Sequence, residues 1–374
     1  MPGTLRRSAT IDDALRASGG RPSGFDYLRL ALAISVVLSH SASVACGDIG
    51  SLCVWRSPAR PLVAIIVPMF FALSGFLVTA SLERCRTVPV FLGFRAVRIY
   101  PALIVEVILS ALVIGPLVTT VPLHDYFSSP LFARYLLNMT GRPSYYLPGV
   151  FAHGMHPGIV NSQLWTVPYE LFCYVGLGAL WLFGLRRRRW LAVAVCALAT
   201  IVLVGLKVWA LGLHRPEPES VTEGLVLCFL SASGFYLYRR EIPLRPAFFV
   251  VALAVSVTLL YFGSIGGLLA APFIGYLTVY LGAGNPRRMG PIGRADISYG
   301  IYVYGTVLLQ LTAFLFPGMR NWFLLSGASL LLIIPVASLS WVLVERPALG
   351  LRKLLTRFDR PAPATQGEAV VAGE

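Results

Sequence analysis

Six ionisable side chains stand inside apolar runs of this 374-residue chain: Asp26, Arg29, His40, Glu106, Glu170 and Lys207. A charge at membrane depth is costly, so it is kept where it faces a cavity, a partner or a substrate. In FDYLRLALAISVVLSH, Arg29 and His40 are eleven residues apart. On a helix that is three turns plus about 20° and a rise of about 16 Å, so the two share one face at different depths. An imidazole so placed can take a hydroxyl proton near neutral pH. A plainer reading stays open, with Arg29 reaching for phospholipid headgroups and His40 making one packing hydrogen bond. Glu170, in NSQLWTVPYELFCYV, falls about eight residues below the outer surface, near the depth of His40. A carboxylate there would fix the imidazole's tautomer and raise its basicity; a structural pairing with a buried Arg is its rival. Glu106 and Lys207 suit a structural pair or a helix-end snorkel better than catalysis.

A second constellation is FLGFRAVRIYP, where Arg95 and Arg98 are i, i+3 neighbours on one helical face. Two guanidinium forks side by side suit a phosphorylated ligand, although the tendency of basic residues to gather on the cytoplasmic side needs no ligand. Cys46 and Cys53 share ACGDIGSLCVW, an expected outer loop in which an oxidising exterior would permit a disulfide. Cys173, three residues after Glu170, lies in a span, where a buried thiol behaves as a small hydrophobe. His153 and His156 (HGMH) lack a Cys or carboxylate beside them, so no metal site is expected. No phosphate-binding or dinucleotide fingerprint occurs, and the glycines are scattered through apolar runs where they permit close helix approach.

The elements that must position these groups follow from composition. Hydrophobic residues make up 56% of the chain and charged ones only 13%, about half the charged share of a soluble domain; soluble enzyme classes and disorder are excluded. Ten runs of spanning length predict an all-α polytopic membrane bundle: about 25–45, 61–82, 100–120, 162–184, 190–211, 221–238, 246–262, 264–282, 298–316 and 322–344. The seventh and eighth touch at Gly263 to Gly267 and read as separate spans, a hairpin or a re-entrant pair. The formal charge is +14, but the basic residues lie between apolar runs and form no continuous face, so nucleic acid is not expected as a partner. With Met1 inside, 23 Arg and Lys residues fall in inner segments and 6 in outer loops, which orients both termini to the cytoplasm. Three regions result: a cytoplasmic tail over 1–24, a membrane domain over 25–350, and a tail over 351–374 whose end, PAPATQGEAVVAGE, has a disordered composition. The first run reads as a retained anchor, and LHDYFSSPLFARYLLNM as a helix lying at the membrane surface.

These segments, in this order, resemble the membrane-bound acyltransferase family 3 over residues 25–350. Arg29 and His40 fit its Arg-x10-His pattern, PMFFALSGFLV its FFxxSGFL segment, and Arg95 and Arg98 its Arg-x-x-Arg. LWTVPYELFCY is similar to LWxLxxExxFY, ISYGIYVYG to SYxxYLxH, and WVLVERPAL to the terminal ERP segment. The resemblance implies a bacterial inner-membrane O-acyltransferase that moves an acyl group, acetyl by family expectation, from cytoplasmic acyl-CoA to a hydroxyl of a glycan or glycoside, with no bound cofactor. His40 is then the base with Glu170 beside it, Arg29, Arg95 and Arg98 hold acyl-CoA, and Ser74, Trp165 and Tyr299 line the cavity. The chain departs from the pattern at Gly305, where many relatives have His; the reading keeps His40 as base and takes position 305 as subgroup variation. A secondary transporter of a saccharide or lipid-linked intermediate is the main rival, and the absence of an inverted repeat counts against it.

Overall fold

The computed structural model describes residues 9–212, 222–288 and 296–359. Among them there is no strand, only three isolated β-bridges, and the rest of the regular structure is helical. A short amino-terminal helix, α1 (Ile11–Ala17), precedes α2 (Gly24–Arg56), α3 (Ile66–Arg84), α4 (Val88–Leu109), α5 (Val167–Leu180) and α6 (Trp190–Gly212). There follow α7 (Thr222–Leu237), α8 (Pro246–Leu260), α9 (Gly263–Gly282), α10 (Ser298–Leu315) and α11 (Trp322–Ser340). Wide helical turns prolong α4 to Val118 and carry the chain beyond α11 to Leu355. Eight of the described helices are long and apolar enough to cross a membrane. The other two expected spans are α7 and α8, apolar but only 16 and 15 residues long. A two-residue turn before Gly263, whose φ is +63°, makes α8 and α9 a hairpin of separate helices.

The segments rich in Arg converge on one end of the bundle. Arg189 pairs with Glu241 at 2.7 Å, Arg239 with Glu83 at 3.1 Å, and Arg98 with both Asp296 and Glu345. The amino-terminal segment is built into this end from residue 9 onward. A capping box between Thr10 and Asp13 starts α1, Ile11 is fully buried, and Ile11 and Asp12 donate backbone hydrogen bonds to Ile242 and Arg239 at 3.1 and 2.9 Å. Residues 9–24 of the expected amino-terminal tail are thus packed onto the bundle; residues 1–8, like the carboxy-terminal tail from residue 360, lie outside the described residues.

At the opposite end, α2 does not stop near residue 45 but continues to Arg56, bent at Gly47, whose φ of +64° a glycine adopts without strain. That extension puts Cys46 and Cys53 in helical backbone on either side of the bend at Gly47 and not in a loop; both are free thiols. The expected surface helix is two, Leu123–Ser128 and Pro130–Leu136, because Pro130 cannot continue the first and instead starts the second.

Two packing features place the interior. Gly75 of α3 lies against the backbone of Phe229 in α7, where any Cβ would collide with the Phe229 carbonyl, and the Ser233 hydroxyl donates to the Gly75 carbonyl at 3.2 Å. The small residue of the SGFL segment thus permits helix contact at backbone distance. By contrast α6 buries Ala192 alone, as a helix facing lipid would. The most enclosed of the candidate spans is α10, and it carries the site.

Candidate active site

Asp296, two residues before α10, ties α2 to α4. Its Oδ2 accepts from Arg29 at 3.0 Å and from Arg98 at 2.7 Å, while Arg98 also donates to Glu345 at 2.9 Å. The side chain of Glu345 is 2% exposed, so this is a largely buried network of two guanidiniums and two carboxylates. Among the described residues Arg95, one helical turn before Arg98, has no such partner: it donates to Ser81 Oγ at 3.2 Å, and its Nε is buried without a hydrogen bond. Ser298 closes the network by donating to Asp296 at 2.7 Å.

A cavity of about 710 Å³ opens at this end of the bundle, lined by Arg21, Arg29, Arg84, Arg95, Arg98 and Arg352 among others. A narrower crevice of about 130 Å³ leads inward from the same Arg29, Arg95 and Arg98. Its walls include Ser74, Thr166, Glu170, Tyr174, Tyr299 and Tyr302. Tyr174 donates to Glu170 Oε1 and lies 3.2 Å from Ser74 Oγ. The Tyr302 hydroxyl, 2.5 Å from Thr166 Oγ1 and donating to the Gln163 carbonyl at 3.0 Å, spans the crevice wall from α10 to the turn before α5.

His40 stands further along α2. Its Nδ1 is 2.9 Å from the Val36 carbonyl, and because a carbonyl can only accept, Nδ1 carries the hydrogen and Nε2 the lone pair of the neutral ring. No hydrogen bond reaches Nε2 among the described residues. Val37, one turn below His40, packs at Gly305, where a Cβ would lie 3.2 Å from Val37 Cγ2 and 3.1 Å from Gln163 Nε2. Gln163 fills the space that a side chain at 305 would occupy and donates to the Tyr302 carbonyl.

Residues 23–345 match the sequence pattern of an acyltransferase domain. The chain belongs to acyltransferase family 3. It is 26% identical to the O-acetyl transferase of Shigella phage Sf6 over 337 residues, covering 86% of this chain and 94% of that protein. It is 29% identical over 385 aligned positions to nodulation protein 10 of Rhizobium leguminosarum bv. viciae, covering 90% and 96% of the two chains. No solved structure matches it. With its apolar helices, this acyltransferase is a multi-pass membrane protein.

The structure of the acyltransferase groups the sequence candidates differently from their expected arrangement. Glu170 is not hydrogen-bonded to His40; it shares the crevice with the arginines and takes the Tyr174 hydroxyl, while the Val36 carbonyl orients the imidazole. The reason lies before α5. Asn161 and Gln163 already reach into the bundle, donating to the Val303 and Tyr302 carbonyls of α10, so the helix begins deep instead of at the surface. Ser74 and Tyr299 line the crevice, whereas Trp165 packs edge-on against Tyr169 with ring centroids 6.0 Å apart and leaves the wall to Thr166. Arg29 is paired to Asp296 and is not left to lipid headgroups. His156 bonds Ser43 at 2.7 Å and ties its loop to α2. Glu106 is fully buried with Ser110 and Asn161 at 2.7 and 3.0 Å, a structural pairing. Sequence reasoning missed Asp296, Glu345 and Arg352. The first two stand in the SYxxY and ERP neighbourhoods, where an acid beside a conspicuous motif was the available signal.

Proposed function

We propose that this acyltransferase moves an acyl group, acetyl in the simplest case, from cytoplasmic acyl-CoA to a hydroxyl of a surface polysaccharide or related glycoside in the bacterial inner membrane. The observation that carries the reading is the stepped cavity: a wide basic mouth for a phosphorylated carrier, narrowing to a crevice that admits a slender acyl arm. The printed name of the phage relative, an O-acetyl transferase, supports the reaction class. The clustering of Arg-bearing segments around the mouth supports its cytoplasmic side.

The chemistry follows from the residues. The positive charge of Arg95, where the wide cavity meets the crevice, draws the anionic carrier to the crevice entrance. His40 Nε2 takes the acceptor's hydroxyl proton as the oxygen attacks the carbonyl carbon; the C–S bond breaks, and the thiolate leaves with that proton. Glu170 and Tyr174 shape the crevice beside the carrier's arm, with the Tyr174 hydroxyl donating to the carboxylate. Tyr302 lies one turn below Gly305 on α10, so the crevice ends about 9 Å short of His40 along the axis. Transfer therefore requires the Tyr302–Thr166 hydrogen bond to open. A cavity open to one side and closed in mid-bundle is also what a saccharide carrier presents, and turnover separates the two readings.

The test is acetyl-CoA turnover by purified protein with a glycan acceptor. His40→Gln, normalised to folded protein, should lower turnover by roughly 10² to 10⁴ and leave donor affinity intact. A His40→Gln variant that acylates at the wild-type rate removes the base from the mechanism.

A further inference from the structure

Three serines flank His40 along α2, and one of them behaves differently. Ser39 and Ser41 close back on the carbonyls of Val36 and Leu38 at 2.8 and 2.7 Å, as a helical hydroxyl can. Ser43 turns instead to another element, and its Oγ lies 2.7 Å from Nε2 of His156 in the HGMH segment. His40, Ser43 and Cys46 recur every third residue and are half-buried, whereas Ser41, Ala42, Val44 and Ala45 between them are buried. The three form one stripe of α2 at the end away from the arginine cavity, and two loops cover it. Met155 packs over Gly47, Arg320 Nη1 is 3.6 Å from Met155 Sδ, and Cys46 Sγ is 3.5 Å from the Arg320 carbonyl. The HGMH loop is fixed at its root: Gly154 donates to the Phe151 carbonyl and Gly158 to the Val150 carbonyl, each at 2.8 Å. Phe151 is buried and, among the described residues, is the one residue other than glycine with a positive φ, +51°. Such backbone persists only where its surroundings hold it, so His156 is presented to Ser43 from a rigid base.

We propose that Ser43 is a specificity-determining residue that holds a second hydroxyl of the acceptor, so that the enzyme selects a sugar with two neighbouring hydroxyls, and that His156 positions Ser43 for this. The inference rests on the reading of His40 as base and names the class of acceptor it serves, a vicinal diol. Ser43 stands about 4.5 Å further along the axis than His40, so an acceptor that comes to His40 from this end meets the Ser43–His156 pair first. The His40 ring folds the other way, toward the Val36 carbonyl. The two side chains therefore address different hydroxyls, one bound by Ser43 and its neighbour facing the bare His40 Nε2. The contact with His156 leaves the Ser43 hydroxyl with further hydrogen-bonding positions. A sugar hydroxyl both donates and accepts, so it fits whichever way the Ser43–His156 bond points; a carboxylate or an ammonium would fit only one.

The experiment uses the full chain in detergent with two isomeric probes, 1,2-cyclohexanediol, tried as cis and trans, and 1,4-cyclohexanediol, whose hydroxyls are not neighbours. With acetyl-CoA, the wild type should acetylate the better 1,2-diol with a kcat/KM about three- to tenfold above that of the 1,4-diol, the worth of one hydrogen bond. Ser43→Ala should erase that ratio by raising the KM for the 1,2-diol, with the KM for acetyl-CoA unchanged, and Ser43→Thr, which keeps the hydroxyl, should retain it. His156→Ala should shrink the ratio, whereas a histidine that only ties the loop down would lower both diols equally; this variant also serves if Ser43→Ala does not fold. A second readout needs no acyl-CoA: the 1,2-diol should slow labelling of His40 by diethyl pyrocarbonate more than the 1,4-diol does, with the exposed His153 as internal control. Thioester turnover with no preference between the diols, or a preference that survives in Ser43→Ala, overturns the inference and leaves the acyl-transfer reading standing. Selective protection of His40 that is lost in Ser43→Ala, without any acetyl-CoA consumption, supports the inference and removes that reading.

Discussion

Arg95 and Arg98 look equivalent in sequence, yet the structure gives them opposite energetic roles, and replacing each by Ala separates them. Arg98→Ala leaves Asp296 with Arg29 but strips Glu345, 2% exposed, of its ion-pair partner. Among the described residues no hydrogen bond reaches Glu345 Oε1, so the stranded carboxylate has little to fall back on. Removing one member of a buried pair costs about 3–5 kcal/mol. Arg95→Ala loses one hydrogen bond to Ser81 at 3.2 Å, worth about 1 kcal/mol, and no ion pair among the described residues, so its net effect should stay within about 1 kcal/mol. Thermal unfolding of purified variants, followed by size-exclusion fluorescence, should show a large drop for Arg98→Ala and little change for Arg95→Ala. Arg95→Ala should instead raise the donor KM. Adding Glu345→Gln to Arg98→Ala should recover about 1–3 kcal/mol, because the buried charge is then gone. If the two single variants melt alike, or the double variant recovers nothing, the division of roles is wrong.

Three further outcomes follow from particular contacts. Gly305→His should destabilise by about 1–3 kcal/mol, because its Cβ meets Gln163 and Val37 at 3.1 and 3.2 Å, and Gln163→Ala should relieve most of that loss in a melting assay. Gly75→Val should prevent folded protein from accumulating, since the added atoms fall on the Phe229 backbone; a normal expression yield contradicts that packing. Burial would raise the carboxyl of Asp296, but Arg29 and Arg98 outweigh it and hold the group well below the usual carboxylate range. An acid depressed in this way adds stability that is complete above its unfolded value of about 3.9 and is lost as pH falls below it. The melting difference between wild type and Asp296→Asn should therefore shrink below about pH 4, whereas a difference unchanged down to about pH 3 contradicts the pairing.

The bundle was legible because apolar length is a one-dimensional property: runs such as 190–211 could be read directly, and α6 spans Trp190–Gly212. Continuity was harder. Gly47, Asp48 and Gly50 punctuate 45–56 as a loop would and hide that α2 runs on to Arg56, so Cys46 and Cys53 read as loop residues. Depth was harder still. Counting residues from an assumed surface put Glu170 level with His40, but the polar turn before α5 is buried because Asn161 and Gln163 satisfy carbonyls of α10. Periodicity on one helix cannot show what another helix offers. Asp296 and Glu345 escaped notice because an acid at a helix boundary carries no cost that marks it in sequence, and their value lies in a shared arginine, Arg98, which is 198 and 247 positions away. Gly305 was read as a missing histidine; the structure adds that Gln163 occupies its place.

The most direct test is sidedness of thioester use in sealed vesicles holding the protein and a glycan acceptor. In inverted vesicles, whose cytoplasmic face is outward, added acetyl-CoA should be consumed and free CoA thiol should appear in step with acetylated acceptor; Arg95→Ala should raise the acetyl-CoA concentration required, and right-side-out vesicles should consume none. Saccharide uptake without any thioester consumption, or equal consumption from both faces, would contradict the account.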